Sequence, residues 1–311
     1  MTTEVGAEFE GRAADLEALG DAPAPAWFRA VAALVGALPY AALGALGAAL
    51  GWLAGSVLRI RRAHAEAAMR AAGLDDAPTR AARVYRSLGL GVFELLWTTS
   101  RDPRELDARF SFDDAAARDL RAGLARGRGL VVVTAHTGNW DIAACGAARR
   151  LVDEGLAPSL TVVTKRLKSR GLDRAWQRLR AERGVTLVGS EGAARACLRA
   201  LRSGGVVALL VDQAPERGDR TITAPFAGAP ARYDLAPALI AARAGAPIAM
   251  MFASREPDGQ HRMTSAGLVE PAELVGGRAA HEAATRRIAA AVDAFVRAHA
   301  EQWLWLHRRW K

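Results

Sequence analysis

Lysine is nearly missing from this chain. Of its 42 cationic side chains, only Lys165, Lys168 and Lys311 are lysines; the others are arginines. The formal charge is still +9. That balance invites an anionic partner, but a solvated basic surface explains it equally well. Nucleic acid is a poor candidate. The arginines are dispersed, no basic–aromatic motif appears, and a long uncharged run is out of place in such a protein. Cysteine is scarce too. Cys145 and Cys197 stand far apart without a CxxC, which excludes a disulfide framework or a cysteine-built zinc site and fits a reducing compartment. No Gly-Lys pair is present, hence no phosphate-binding P-loop, and no HExxH. "VGSEG" at 188–192 fails as a nucleophile elbow, because Val188 stands where glycine is required.

Charge is also absent from "AVAALVGALPYAALGALGAALGWLAGSVL", residues 30–58. This run exceeds the roughly 20 apolar residues that cross a bilayer. Before it the chain is acidic, with Glu4, Glu8, Glu10, Asp15, Glu17 and Asp21 against Arg12 and Arg29, so it does not read as a signal peptide. After it come Arg59, Arg61 and Arg62. A span would leave everything beyond it in the cytoplasm. Pro39 and the glycines allow a second reading, a broken helical pair within one leaflet, and a third, a buried hairpin. Gly47, Gly51 and Gly55 permit close helix packing.

Three regions follow: residues 1–26, acidic and loosely ordered; 27–62, a hydrophobic membrane-anchoring helical segment; and 63–311, a domain whose α/β core begins near 104. From residue 128 the pattern alternates. Strands are expected at 129–135, 159–164, 185–188, 206–211 and 247–252. Helices are expected at 141–153, 171–183, 191–203, 234–244 and 280–299. Continuous apolar strands alternating with helices predict an α/β fold, a mostly parallel central sheet flanked by helices. Ligands of such sheets sit beyond the carboxyl ends of the strands. His136 and Asp141 fall at the end of the first strand, Lys165 and Arg166 at the end of the second, Asp212 and Gln213 at the end of the fourth.

"HTGNWD", residues 136–141, carries the chemistry. Asp141 alone reads as a first-turn carboxylate favoured by the helix dipole, and His136 alone as a core histidine. Together they suggest a dyad. The intervening Thr-Gly-Asn-Trp can turn the carboxylate onto one ring nitrogen, fixing the tautomer while the other nitrogen takes a proton. No protein nucleophile accompanies it, although Cys145 lies one helical turn beyond Asp141. The economical reading makes the substrate hydroxyl or amine the nucleophile, attacking an activated acyl group directly. Asn139 either shapes the turn or caps the helix.

His-x4-Asp at a strand end resembles the signature of glycerolipid-type acyltransferases. "HTGNWD" is similar in particular to the secondary (late) acyltransferases of lipid A biosynthesis, the lauroyl/myristoyl transferase family. The likeness extends to the apolar segment with its arginines, to "ELLW" at 94–97, to "VDQAPERGDRTITAPFAGAPA", to "ALIAARAGAPIAMMF" and to "EQWLWLHRRWK" at 301–311. It departs where Lys165 replaces an arginine, where Ser169 replaces an asparagine, and where Tyr233 and Asp234 replace small hydroxyl residues.

The resemblance implies a glycerol-3-phosphate-acyltransferase-like fold and a membrane-associated O-acyltransferase. It would move a fatty acyl group from acyl carrier protein or acyl-CoA to a hydroxyl of a lipid A precursor, at the bacterial inner membrane, facing the cytoplasm. His136 would be the base and Asp141 its partner. Asn139, Lys165, Arg166, Asp212, Gln213 and Arg232 would bind substrate. No metal or further cofactor is implied. Another glycolipid, phospholipid or aminolipid acceptor is the alternative, and a non-catalytic lipid-binding module a more distant one. Trp303, Trp305 and Trp310 with Arg308 and Arg309 form either an interfacial belt or a packed lid on the sheet.

Overall fold

The computed structural model describes residues 25–310 except 100, 166–168, 190–191 and 216–217. The acidic stretch expected to be loosely ordered therefore lies, through residue 24, outside the described residues, as does Arg166.

The apolar run forms two helices, not one. Helix α1 covers Ala26–Gly36 and α2 covers Tyr40–Trp52, running on as a π-helical turn, Leu53–Val57. Pro39 separates them because its ring fixes φ and it has no N–H to donate. Helices α3 (Arg62–Ala71) and α4 (Ala77–Thr99) follow. Along α1, Phe28, Ala32 and Val35 are buried at helical spacing, packed in the same cluster as Leu95, Leu96 and Trp97 of α4. Along α2 the buried face is Leu43, Gly47 and Gly51. A β-carbon on Gly47 would lie 2.5 Å from the Leu90 backbone, and one on Gly51 2.5 Å from the Tyr85 carbonyl. The two helices thus meet backbone to backbone. The apolar segment is part of the domain's packing.

The α/β half follows in the order α5 (Pro103–Asp107), β1 (Phe110–Phe112), α6 (Asp114–Leu124), β2 (Leu130–Thr134), α7 (Trp140–Asp153), β3 (Leu160–Thr164), α8 (Arg170–Glu182), β4 (Val185–Gly189), α9 (Ala193–Arg202) and β5 (Val206–Leu210). Then come β6 (Thr221–Phe226), β7 (Ala229–Asp234), α10 (Ala236–Ala244), β8 (Ile248–Arg255), β9 (His261–Val269) and α11 (Arg278–Ala298). A seven-stranded sheet is ordered β1-β9-β8-β2-β5-β3-β4. From β8 to β4 the pairs are parallel; β9 runs antiparallel to β8 and β1 parallel to β9. The fold is α/β with a mostly parallel, mixed sheet. β2 shows why: it is buried on both sides, as central parallel strands are. Val131 and Val133 join one core with α10, α11 and Trp303. Leu130 and Val132 join the other with Ile142 of α7.

The expected strands and helices of this half are present within a few residues. Sequence reading missed β1, β9 and the β6–β7 hairpin. The hairpin turns at Ala227 and Gly228, both with positive φ, the primed-turn geometry that suits strand twist. Pro225 and Pro230 face each other across it. Prolines in a run argue against a strand unless it is an isolated or edge ribbon, as this one is.

Candidate active site

β2 and β5 are neighbours, in parallel register with Thr134 opposite Leu210. His136 and Asp212 stand equally far beyond those partners, so the ladder brings them level. His136 Nδ1 lies 2.9 Å from Asp212 Oδ1 and 3.2 Å from Oδ2. The Trp303 indole N–H donates to Oδ2 at 2.7 Å. An ionised carboxylate only accepts, so the proton between the pair belongs to Nδ1 and the lone pair is left on Nε2. Gln213 Nε2 lies 3.4 Å from that nitrogen, a long contact in which an amide N–H faces the lone pair. Burial alone would raise the Asp212 carboxyl, but the imidazole beside it, together with hydrogen bonds from His136 and Trp303, carries it below the usual carboxylate range.

The loop carrying His136 is held on two sides. The Thr137 hydroxyl donates to the Ala253 carbonyl at 2.8 Å. Thr137 also forms a β-bridge with Trp303, flanked by Gly138 N donating to Gln302 O and Leu304 N donating to His136 O, each at 3.2 Å. Gly138 sits at φ +60° with the β8 backbone against it; a β-carbon there would be 3.0 Å from Ala253 O. The Trp140 ring meets the imidazole edge-on, 5.0 Å between centroids.

The pairing expected from the motif is not the one the structure holds. Asp141 is buried on the α8 side of its helix. Its Oδ1 accepts from Arg180 Nε at 2.7 Å and lies 2.6 Å from Nη2, while Oδ2 accepts from the Trp176 indole at 3.1 Å. The reason is local geometry. Asn139 is the N-cap of α7, accepting from the amides of Asp141 and Ile142, so Asp141 already lies within the helix and its side chain follows the helical face toward α8. Of the two readings of Asn139, capping is the one seen. Its amide also donates to Glu94 Oε2 at 2.9 Å and to Gly91 O at 3.1 Å.

Glu94 gathers a buried ionic hub. Arg255 grips it with two nitrogens, at 2.8 and 2.6 Å. His261 Nε2 lies 3.3 Å away, and the Tyr40 hydroxyl donates at 2.8 Å. Burial opposes ionisation of Glu94, but His261 and Arg255 outweigh it and hold the carboxyl well below its ordinary value. Tyr40, desolvated and beside that carboxylate, is pushed the other way.

Lys165 is exposed just past the end of β3, which borders β5. Arg232 is exposed on β7, and among the described residues it makes no hydrogen bond to the His136–Asp212 pair. Cys145 is fully buried, and burial first, then Asp141, pushes its thiol up to about 12; it is not a thiolate at neutral pH. Among the described residues no three His, Cys, Asp or Glu side chains gather as around a metal ion. The C-terminal aromatics are a lid and not an exposed belt: Trp303, Trp305 and Arg309 are buried, and only Arg308 of the group is exposed.

Sequence reasoning missed the role of Trp303 and the partnership of Asp141 with Arg180 and Trp176. The last had a signal, since Trp176 and Arg180 repeat at i, i+4 on one helix face. In comparison with known proteins, residues 23–311 match the family described as bacterial lipid A biosynthesis acyltransferase. A comparison with curated proteins gave no match.

Proposed function

From the chain's membership of the bacterial lipid A biosynthesis acyltransferase family, we propose that it transfers a fatty acyl group from a thioester, acyl carrier protein or acyl-CoA, to a hydroxyl of a lipid A precursor at the inner membrane. The observation that carries the mechanism is the His136–Asp212 pair, with Nε2 as the ring's accepting nitrogen at the carboxyl end of the sheet, met only by the long Gln213 contact. Nε2 takes the proton of the acceptor hydroxyl as its oxygen attacks the thioester carbonyl. Asp212 holds the tautomer and stabilises the imidazolium, and Trp303 holds Asp212. The C–S bond breaks, the thiolate leaves, and the imidazolium returns the proton to it. No acyl-enzyme forms.

Gln213 gives up its long contact to the incoming hydroxyl. Lys165, at the end of β3, supplies positive charge for the developing oxyanion or an anionic group of the acceptor, as a point charge without arginine's two-pronged geometry. Asn139 acts on the loop and not on substrate. The arginine-rich surface suits an acidic carrier protein.

Membranes containing the wild type or His136→Ala, given labelled acyl carrier protein and acyl-CoA donors with a lipid A precursor and a total lipid extract, test this. A new lipid species made by the wild type alone is the expected result, and its mass identifies the acceptor. Equal trace transfer by both proteins refutes the base. His136-dependent release of free fatty acid alone keeps the pair and refutes the acceptor.

A further inference from the structure

The stretch Tyr40–Val57 is long and apolar enough to cross a membrane, yet only 22 % of it is buried against the rest of the chain. A helix apolar on every side needs protein or lipid around it. Protein covers one side alone, the glycine face on α4. The other side exposes Trp52, Leu53 and Val57, and past the helical segment Leu58 and Ile60 are exposed as well. Helix α1 repeats the arrangement: its inward stripe is Phe28, Ala32 and Val35, and one residue out of phase Trp27, Val31 and Leu34 face outward, Leu34 at 72 % exposure. Arg29, Arg59 and Arg61 are exposed beside these side chains.

A span is incompatible with this packing. A β-carbon on Gly51, two-thirds of the way along Tyr40–Val57, would lie 2.7 Å from the Arg86 α-carbon, so α4 must enter any bilayer that the helix crosses. Helix α4 exposes Arg83 and Arg86, and an arginine at the bilayer centre is costly. The elbow between α1 and α2 is also fastened to α4 and its end: Trp97 Nε1 and Arg101 Nη2 both donate to Leu38 O at 2.9 Å, and Tyr40 reaches the buried Glu94.

We propose that α1 and α2 form an in-plane hairpin, which rests its outer apolar face in one leaflet and lays Arg29, Arg59 and Arg61 against anionic head groups, without crossing the membrane. An amphipathic surface of this kind binds through buried apolar area plus charge. The inference rests on the membrane-acting function proposed above, and it puts the first residues of the chain on the same side as the catalytic domain.

Full-length protein with Thr3→Cys or Ser203→Cys, in inverted membrane vesicles and in intact spheroplasts, is treated with a membrane-impermeant maleimide; the native cysteines are buried. Both sites should react in inverted vesicles and neither in spheroplasts. Reaction from opposite faces establishes a span and overturns the hairpin. Recovery of the protein in the soluble fraction overturns the membrane-acting reading itself. In a second arm, Leu34→Ser/Trp52→Ser/Leu58→Ser should lower partitioning onto vesicles of neutral and anionic phospholipid at least tenfold with thermal stability kept. Unchanged partitioning, or a wild type that ignores vesicles and pairs through this face with a second copy, overturns the proposal.

Discussion

Replacing Asp212 by asparagine removes little volume and should nearly abolish transfer, because Trp303 dictates how the new amide lies. The indole N–H only donates, and it points at one oxygen of residue 212 from 2.7 Å. In Asp212→Asn the amide oxygen must stay on Trp303, which turns the amide NH2 toward His136 Nδ1. That nitrogen then has to accept, the imidazole proton moves to Nε2, and the base is lost. The same carboxylate-to-amide exchange in a Ser-His-Asp triad lowers kcat by about 10⁴, equivalent to roughly 5.5 kcal/mol of transition-state stabilisation at 1.36 kcal/mol per tenfold. A drop of about that size is expected here in kcat, with KM little changed. Adding Trp303→Phe frees the amide to flip, so the double variant should recover at least tenfold over Asp212→Asn alone. Transfer of labelled acyl groups to lipid gives the rates, and ¹⁵N chemical shifts of the imidazole report the tautomer. Asp212→Asn within tenfold of wild type, with Asp141→Asn down a thousandfold at unchanged stability, would show that Asp141 is the true partner and refute the argument.

Other substitutions separate structure from chemistry. Asp141→Asn leaves the partly buried Arg180 without its carboxylate, and breaking a buried pair costs up to about 3–5 kcal/mol; thermal unfolding should show the loss, and Asp141→Asn/Arg180→Met should regain part of it. Glu94 ionises more readily when folded than when unfolded, so its contribution is complete above the ordinary glutamate value of about 4.3 and fades on acidification. The stability gap between wild type and Glu94→Gln should therefore narrow as the pH falls below about 4.3, as followed by denaturant unfolding at each pH. Gly51→Ala forces a methyl group to within 2.5 Å of the Tyr85 carbonyl; overpacking of this kind costs about 1–3 kcal/mol, and a lower denaturant midpoint is expected.

What the sequence made legible was decided by periodicity. β2 and β5 read as strands because both their faces are buried, and that placed His136 and Asp212 at strand ends. Which strands lie side by side is a different kind of information. In sequence β3 follows β2, but in the sheet β5 lies between them, and that insertion hands the histidine a carboxylate 76 residues away in place of the one in its own motif. A short motif invites a short-range partner, and here the helix cap turns that partner away from His136, onto Arg180 and Trp176 of α8. The terminal tryptophans carried equal support for a belt and a lid, because an amphipathic ring at a membrane and one closing a sheet share a composition. β9 escaped for a simpler reason: His261 and Arg262 begin it, and pairing with β8 on one side and β1 on the other satisfies them as strand residues.

The β-bridge between Thr137 and Trp303 has a consequence for the protein's own synthesis. A ribosome delivers His136 long before the indole that fixes Asp212, at sequence separations of 76 and 91 residues for the two hydrogen bonds. Contacts so distant form late in folding. A half-made chain carries the histidine but no oriented partner for it. The His136–Asp212–Trp303 arrangement is complete only when the segment around Trp303 has docked.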